Sequence, residues 1–325
     1  LVNGFTRVMF IVLLVASLVL AINFAAVPGA QLFSIVLGSV AVLAGVGFVL
    51  RQRRAPNPLY DLRVAGRRTF WVAAVAGTIV FGSLMGAMYV GQLFLQNVLG
   101  YSALEAGASI LPAALAMTLA SPVSSRLVPR LGSRVVLLAG FGCCLLAFVV
   151  MYLFWDLGAS YLPVAVGYAF IGLGVGLAGP PASRSLTDSV PVLKAGMASG
   201  TSDLQRDLGG SVMQSVLGAI LTAGYASAIA ASIAAAPAAV RSEISGSIQT
   251  QLLKSFDGAI AIAAQYPQYS DGIVKAARES FLSGADWAYL TGMAFMLVGA
   301  AVAVLFYPGR ELEHALLREY ADADA

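Results

Sequence analysis

The chain has 325 residues, of which 59% are hydrophobic and 11% charged, and its net charge is +3. Soluble domains carry about 25% charged residues, so a water-facing globule is excluded and the bilayer is the solvent to reason with. A charge of +3 spread over this length also excludes a nucleic-acid surface.

About 20 apolar residues cross a hydrocarbon core as a helix. In chain order we expect eight spans, at about 8–24, 30–50, 70–96, 104–124, 135–155, 160–180, 198–224 and 287–308. The first ends at Asn23. The chain opens on Leu1 with no cleavable signal pattern, and we expect it to be the C-terminal piece of a longer polypeptide. Cys143 and Cys144 are adjacent in the fifth span, where helix neighbours point about 100° apart. They make poor disulfide partners and read as small packing residues. In the sixth span, GLGVGLAG spells G-x-G-x-x-G. A dinucleotide site needs a strand before that motif, so Gly172 and Gly176 read instead as positions of close helix approach. Pro180 and Pro181 are expected to end the helix.

The basic residues are unevenly shared between loops. Arg51, Arg53, Arg54, Arg63, Arg67 and Arg68 separate spans two and three. Arg126, Arg130 and Arg134 lie near the next such turn, Arg184 and Lys194 after span six, and Arg310 and Arg318 in the tail. The alternate loops near 25–29, 97–103 and 156–160 have no Lys or Arg. By the positive-inside rule the basic loops are cytoplasmic. An even number of spans then puts both chain ends on that side of an inner membrane. Residues 225–286 would lie outside. Arg241, Lys254, Lys275 and Arg278 there do not count against this, because the rule weakens in long loops. We expect a helical hairpin, about 239–264 and 271–284, turning at Pro267. It reads as a spacer or as a lid over an external opening.

The chain has no G-x-x-x-x-G-K-[ST] phosphate loop, no H-E-x-x-H and no paired-cysteine motif, and its one histidine, His314, is in the tail. An ATP site of that kind, a metal or cofactor centre and a Ser-His-Asp set are therefore not expected, and we read the chain as no enzyme. Many membrane helices without a nucleotide site suit a secondary transporter driven by an ion gradient.

Four stretches then carry a resemblance. QRRAPNPLYDLRV before a span resembles the cytoplasmic linker ahead of the second half of fourteen-helix drug:proton antiporters, the EmrB/QacA-type branch of the major facilitator superfamily. YVGQLFLQNVLGYSALEAGASILPAALAM resembles the same branch, where L-Q-x-V-x-G-x-S-x-x-x-A-G-x-x-x-x-P recurs. SSRLVPRLGSR is similar to the second-half copy of the superfamily's G-x-L-x-D-R-x-G-x-R loop, supplied here by Arg126, Arg130, Gly132 and Arg134. Its acidic position is Pro129 and its first glycine position is Ser125, so the resemblance does not imply a lock through that carboxylate. ASGTSDLQRDLGG is similar to the penultimate helix, where an arginine commonly precedes Gly-Gly. The resemblance covers essentially the whole chain. It implies an all-α, polytopic transmembrane helix bundle: 1–50 as two additional central helices, 51–69 as a basic cytoplasmic linker, 70–309 as the second six-helix bundle, and 310–325 as a cytoplasmic tail. It also implies a preceding first half with an intramembrane aspartate.

One patch of charge stands out in the seventh span. At 100° per residue Asp203, Arg206, Asp207, Gly210 and Gln214 form a stripe about 100° wide, opposite Leu204, Leu208, Val212 and Val216. An unpaired charge at the bilayer centre costs roughly 2.5–3.5 kcal/mol, and Arg206 can reach Asp203 at i−3 or a partner elsewhere. Two readings stay open. The charges are interfacial, since Leu208 to about Ser227 spans alone; or they wall a cavity, where a carboxylate exchanges protons as its surroundings alternate between wet and dry. In the third span Gly82, Met85, Gly86, Tyr89, Leu93 and Gln96 share a face bordered by Gln92. Met and Tyr there offer an adaptable apolar wall, or the glycines simply pack helices. Met117 and Gln214 are further cavity candidates. Glu105 reads as a solvated helix-start residue, Asp156 and Asp286 as interfacial.

The expected function is proton-coupled export of hydrophobic or amphipathic small molecules by alternating access, with protons, membrane lipids and the first half of the polypeptide as partners. An exporter of a lipid, peptide or endogenous metabolite on the same fold stays open, as does a non-transporting scaffold or receptor.

Overall fold

The structure, a computed structural model, describes residues 2–25 (side chains from Met9), 29–54, 60–237, 241, 244 and 246–324. These residues form helices and connecting turns, with no strand among them. The helices are α1 (Val2–Ala25), α2 (Gln31–Arg54), α3 (Leu62–Ala65), α4 (Arg68–Asn97), α5 (Ala103–Ala108), α6 (Leu111–Leu131) and α7 (Ser133–Phe154). After them come α8 (Tyr161–Asp188), α9 (Ala195–Ala235), α10 (Gly246–Lys254), α11 (Phe256–Gln265), α12 (Ser270–Phe306) and α13 (Arg310–Asp324). Among the described residues seven segments are long and apolar enough to cross a membrane, and Met9–Ala25 is a shorter apolar one.

α4 is the axis of the bundle. Phe70, Ala76, Val80, Ala87, Val90 and Phe94 are buried along its whole length against α8, α9 and α12. α6 and α7 pack on α8, and α7 closes onto α12. α1 docks on α9, and α2 packs on α1. Lipid tails are as apolar as Leu, so burial alone does not bring such helices together; close backbone approach does. Hence Gly82 abuts the Gly209 carbonyl, and Gly172 and Gly176 seat against the backbone of α6 at Ala113 and Met117. The two glycines of α8 pack as the sequence suggests.

Three expectations about helix ends are corrected. Pro180 and Pro181 do not end α8, which continues to Asp188. A proline leaves the carbonyl four residues earlier without its helical donor. For Pro181 that carbonyl is Leu177 O, and the Ser124 hydroxyl of α6 supplies a hydrogen bond of 2.6 Å instead. The last span does not begin near 287 after a separate helix: α12 runs unbroken from Ser270. Lys275, Arg278 and Glu279 change the solvent the helix needs without supplying a breaker. The expected helix at about 239–264 is instead α9 prolonged to Ala235, then α10 and α11, split where Ser255 caps α11 by accepting from Gly258 N at 3.1 Å. Residues 238–240, 242, 243 and 245 of that expectation lie outside the described residues, as do 26–28 of the first loop and 55–59 of the linker. The turn at Pro267 is present as a short 3-10 element, Pro267–Tyr269.

Because successive helices run antiparallel, the loops separate onto two ends. One end collects the basic loops and α13; the other carries α10, α11 and the aromatic cluster of Trp155 with Phe94, Tyr168 and Tyr289.

Candidate functional site

Between α1, α4 and α9 lies a cavity of about 370 Å³, within the usual range for small-molecule sites. Its polar lining is Asn23 from α1, Tyr89 from α4, and Ser211, Gln214, Ser215 and Thr222 from α9. Asn23 Nδ2 donates to Ser215 Oγ at 3.0 Å and so ties α1 to this wall. Of the six cavity residues expected from sequence, Tyr89 and Gln214 meet here. Met85 is 43% exposed and sits beside Gly210, next to the cavity but outside its lining. The other three do not converge on it. Gln92 donates to Ala106 O at 2.8 Å and ties α4 to α5. Gln96 is exposed near the end of α4. Met117 packs against α8 beside Gly176. Gln92 and Gln96 lie on or beside the α4 face that carries Tyr89 but meet different surroundings along it, and Met117 belongs to another helix, α6.

Ser211, Ser215 and Thr222 were missed: at 100° per residue they fall beyond the edge of the stripe on α9, on the side of Leu204 and Leu208. Asn23 was read only as the end of a span. The charged patch lies next to this cavity. Gln205 donates to Ala73 O at 2.7 Å and to Ala74 O at 3.2 Å, and Gly209 abuts Thr78. At 1.5 Å per residue this sets the patch roughly 5–13 Å along α4 from Arg68, at the edge of a centred core. Asp203, Arg206 and Asp207 are exposed on the open side of α9. Of the two partners open to Arg206, Asp203 at i−3 is not taken: among the described residues no ion pair joins the three. The Arg206 guanidinium lies 5.1 Å above the Phe81 ring instead, a cation–π contact that draws it toward α4. Asp207 is one turn from Ser211, whose hydroxyl donates to the Asp207 carbonyl at 2.7 Å.

A second cavity, about 550 Å³, opens along the same α1–α9 seam toward the basic end. Ile11, Met197 and Leu204 give it apolar walls, and Asp61 and Lys194 stand in its lining as an ion pair of 2.6 Å. The Lys194 ammonium holds the Asp61 carboxyl below its ordinary range.

The loop motif is organised by the tail. Gly132 has φ +84° between α6 and α7, a left-handed turn that a side chain would strain, and Arg310 packs against it. Arg134 donates to Val304 O, while Arg126 and Arg130 are exposed. No acid stands in the loop itself, but Glu313 of α13 reaches into it. Its carboxylate accepts from Ser133 N at 3.2 Å, Ser133 Oγ at 2.5 Å and Tyr307 OH at 3.1 Å. It therefore caps the positive N-terminus of α7. At the other end of α13, Asp324 accepts both Arg67 guanidinium nitrogens, at 2.8 and 2.7 Å. Glu313 was not foreseen, since one acid in a polar tail carries no signal of its partner.

The sequence profile described as Major Facilitator Superfamily matches residues 1–214. The chain belongs to this superfamily. It is 34% identical over 197 residues to the multidrug resistance protein Stp of Mycobacterium tuberculosis, covering 59% of this chain and 36% of that protein. It is 27% identical over 181 residues to the quinolone resistance protein NorB of Staphylococcus aureus, covering 55% of this chain and 38% of that one. The chain thus spans little over a third of the length of these relatives. A solved bacterial homologue of the human lysosomal transporter Spinster, inward-facing and occupied, has the same fold. Its TM-score is 0.55 at 15% identity, over 86% of this chain and 58% of that one. With its apolar helices, membership makes this a multi-pass membrane protein of the major facilitator fold.

Proposed function

We propose that this chain is the C-terminal part of a proton-coupled exporter of hydrophobic or amphipathic small molecules in the drug:proton antiporter branch, working by alternating access. The observation that carries the reading is the Asn23–Tyr89–Gln214 cavity, polar on one side, with Ser211 of its lining one helical turn from Asp207. The likeness to two drug-resistance proteins supports it. The basic end is cytoplasmic, the inner membrane is the setting, and 1–50, 51–69, 70–309 and 310–325 divide as helix pair, linker, six-helix bundle and tail. The substrate enters the cavity between this bundle and the first half of the polypeptide. As the site alternates between wet and dry, a carboxylate at Asp203 or Asp207 takes up and releases a proton. One proton falling through 100 mV supplies about 2.3 kcal/mol, before any pH gradient.

The test is efflux of a fluorescent cation from cells against an imposed pH gradient, at matched protein levels. Asp207→Asn is expected to impair efflux most, since it stands nearest the cavity, and Asp203→Asn less. Arg206→Ala loses the contact with Phe81 and the local positive charge, and Arg206→Lys restores part of the effect, because lysine stacks less well on a ring. Normal transport in all four variants would make the patch a solvated helix face and move the proton site elsewhere.

A further inference from the structure

The α1–α2 pair leaves most of its surface uncovered. α2 buries only Ala41, Ala44 and Gln52, and its principal contact is with α1. An apolar groove of about 440 Å³ runs between the two helices. Leu14 and Leu18 form one wall, Val42 and Val46 the other, and Gly38 and Gly45 lower the floor. The lining ends at a single charged residue, Arg53. Gly38 to Arg53 is about 22 Å of helix, more than half of a 30 Å hydrocarbon core. Arg53 is exposed and makes no ion pair among the described residues.

An apolar groove in a bilayer selects no lipid by itself, because acyl chains and Leu side chains are equivalent solvents. A cation fixed at the end of the groove does select, since it rewards only an anionic headgroup. The groove shares no lining residue with the Asn23–Tyr89–Gln214 cavity, so it is separate from the route proposed for substrate. We propose that the α1–α2 groove binds one anionic phospholipid, with an acyl chain along Gly38–Val49 and the phosphate at Arg53. The occupant follows from charge complementarity: an apolar slot that long, closed by one unpaired guanidinium, matches the two ends of a phospholipid.

Native mass spectrometry of the purified protein titrated with dioleoylphosphatidylglycerol or dioleoylphosphatidylcholine tests this. One basic residue near a headgroup is worth about fivefold in affinity. The wild type is expected to hold phosphatidylglycerol about fivefold more tightly, and Arg53→Gln to lose that preference while its phosphatidylcholine binding stays the same. Gly38→Leu is expected to weaken both lipids. A Cβ at Gly38 meets nothing within 4 Å, so this change fills the groove without parting the helices. Arg318→Gln, in the tail, is expected to behave as wild type. A wild type without preference, a preference surviving Arg53→Gln, or lipid binding untouched by Gly38→Leu would each overturn the site. A photo-crosslinker at Val42 is expected to label lipid; labelling of polypeptide, from this chain or a second copy, would also overturn it.

Discussion

Gly209 sets how closely α9 approaches α4. A Cβ on Gly209 would lie 2.3 Å from Thr78 O, and one on Gly82 would lie 2.6 Å from Gly209 O. Both obstacles are backbone and cannot rotate away. A carbon–oxygen contact needs about 3.3 Å, so Gly209→Ala must separate the helices by roughly 1 Å. Overpacking of this kind costs about 1–3 kcal/mol, and the gain in helix propensity offsets up to about 1 kcal/mol of it. With the full offset the net loss is about 0–2 kcal/mol. Gly200, on the same helix, is the control: a Cβ there meets nothing within 4 Å, so Gly200→Ala gains up to about 1 kcal/mol. Equilibrium unfolding of the purified protein by SDS in mixed micelles, followed by far-UV circular dichroism, should rank Gly200→Ala above wild type and wild type above Gly209→Ala. The spread should be about 1–3 kcal/mol. Gly209→Ala at or above wild-type stability would refute the view that this crossing holds the cavity wall in place.

Glu313→Ala leaves Ser133 N, Ser133 Oγ and Tyr307 OH without their shared acceptor, at a cost of about 2–4 kcal/mol. Limited proteolysis should then cleave within 310–324 faster than in wild type, with Glu313→Gln between the two; equal cleavage would show that α13 is held elsewhere. For orientation, single cysteines at Gln251 and Arg318 in a background without Cys143 and Cys144 should differ toward an impermeant maleimide in intact cells. The first should label and the second should not, and the reverse pattern would invert the topology.

The spans were legible because a bilayer imposes a minimum apolar length, and α4, α7 and α8 answer to it directly. Their ends were less so. Hydropathy marks where a helix leaves the membrane, not where it stops, so the helix expected at 271–284 and the span expected from 287 were not seen to be one, α12 from Ser270. Pro181 misled for a related reason: the hydroxyl that rescues Leu177 O belongs to another helix. In the site, the stripe on α9 was readable by angle, but Ser211, Ser215 and Thr222 lie beyond its edge on the side of Leu204, and only the approach of α1 turns that side into a cavity wall. Asn23 was out of reach, since its partner Ser215 is 192 residues away. The sequence left Arg206 a partner at i−3 or elsewhere and could not name Phe81, which becomes a neighbour only once α4 and α9 cross.

The 41 residues of α9 form a single unbroken rod, about 61 Å long at 1.5 Å per residue, or twice the thickness of the hydrocarbon. Beside it α12 is continuous for 37 residues, and the two touch where Gly224 meets Gly284. Gln214 faces the cavity, and Ala235 lies about 32 Å further along the same axis. A tilt of about 10° pivoting at Gln214 therefore carries Ala235 sideways by about 5 Å. With no joint between cavity and tip, the helix acts as a lever: an angular change too small to alter packing around Gln214 arrives at α10 and α11 as a displacement of a full helical turn.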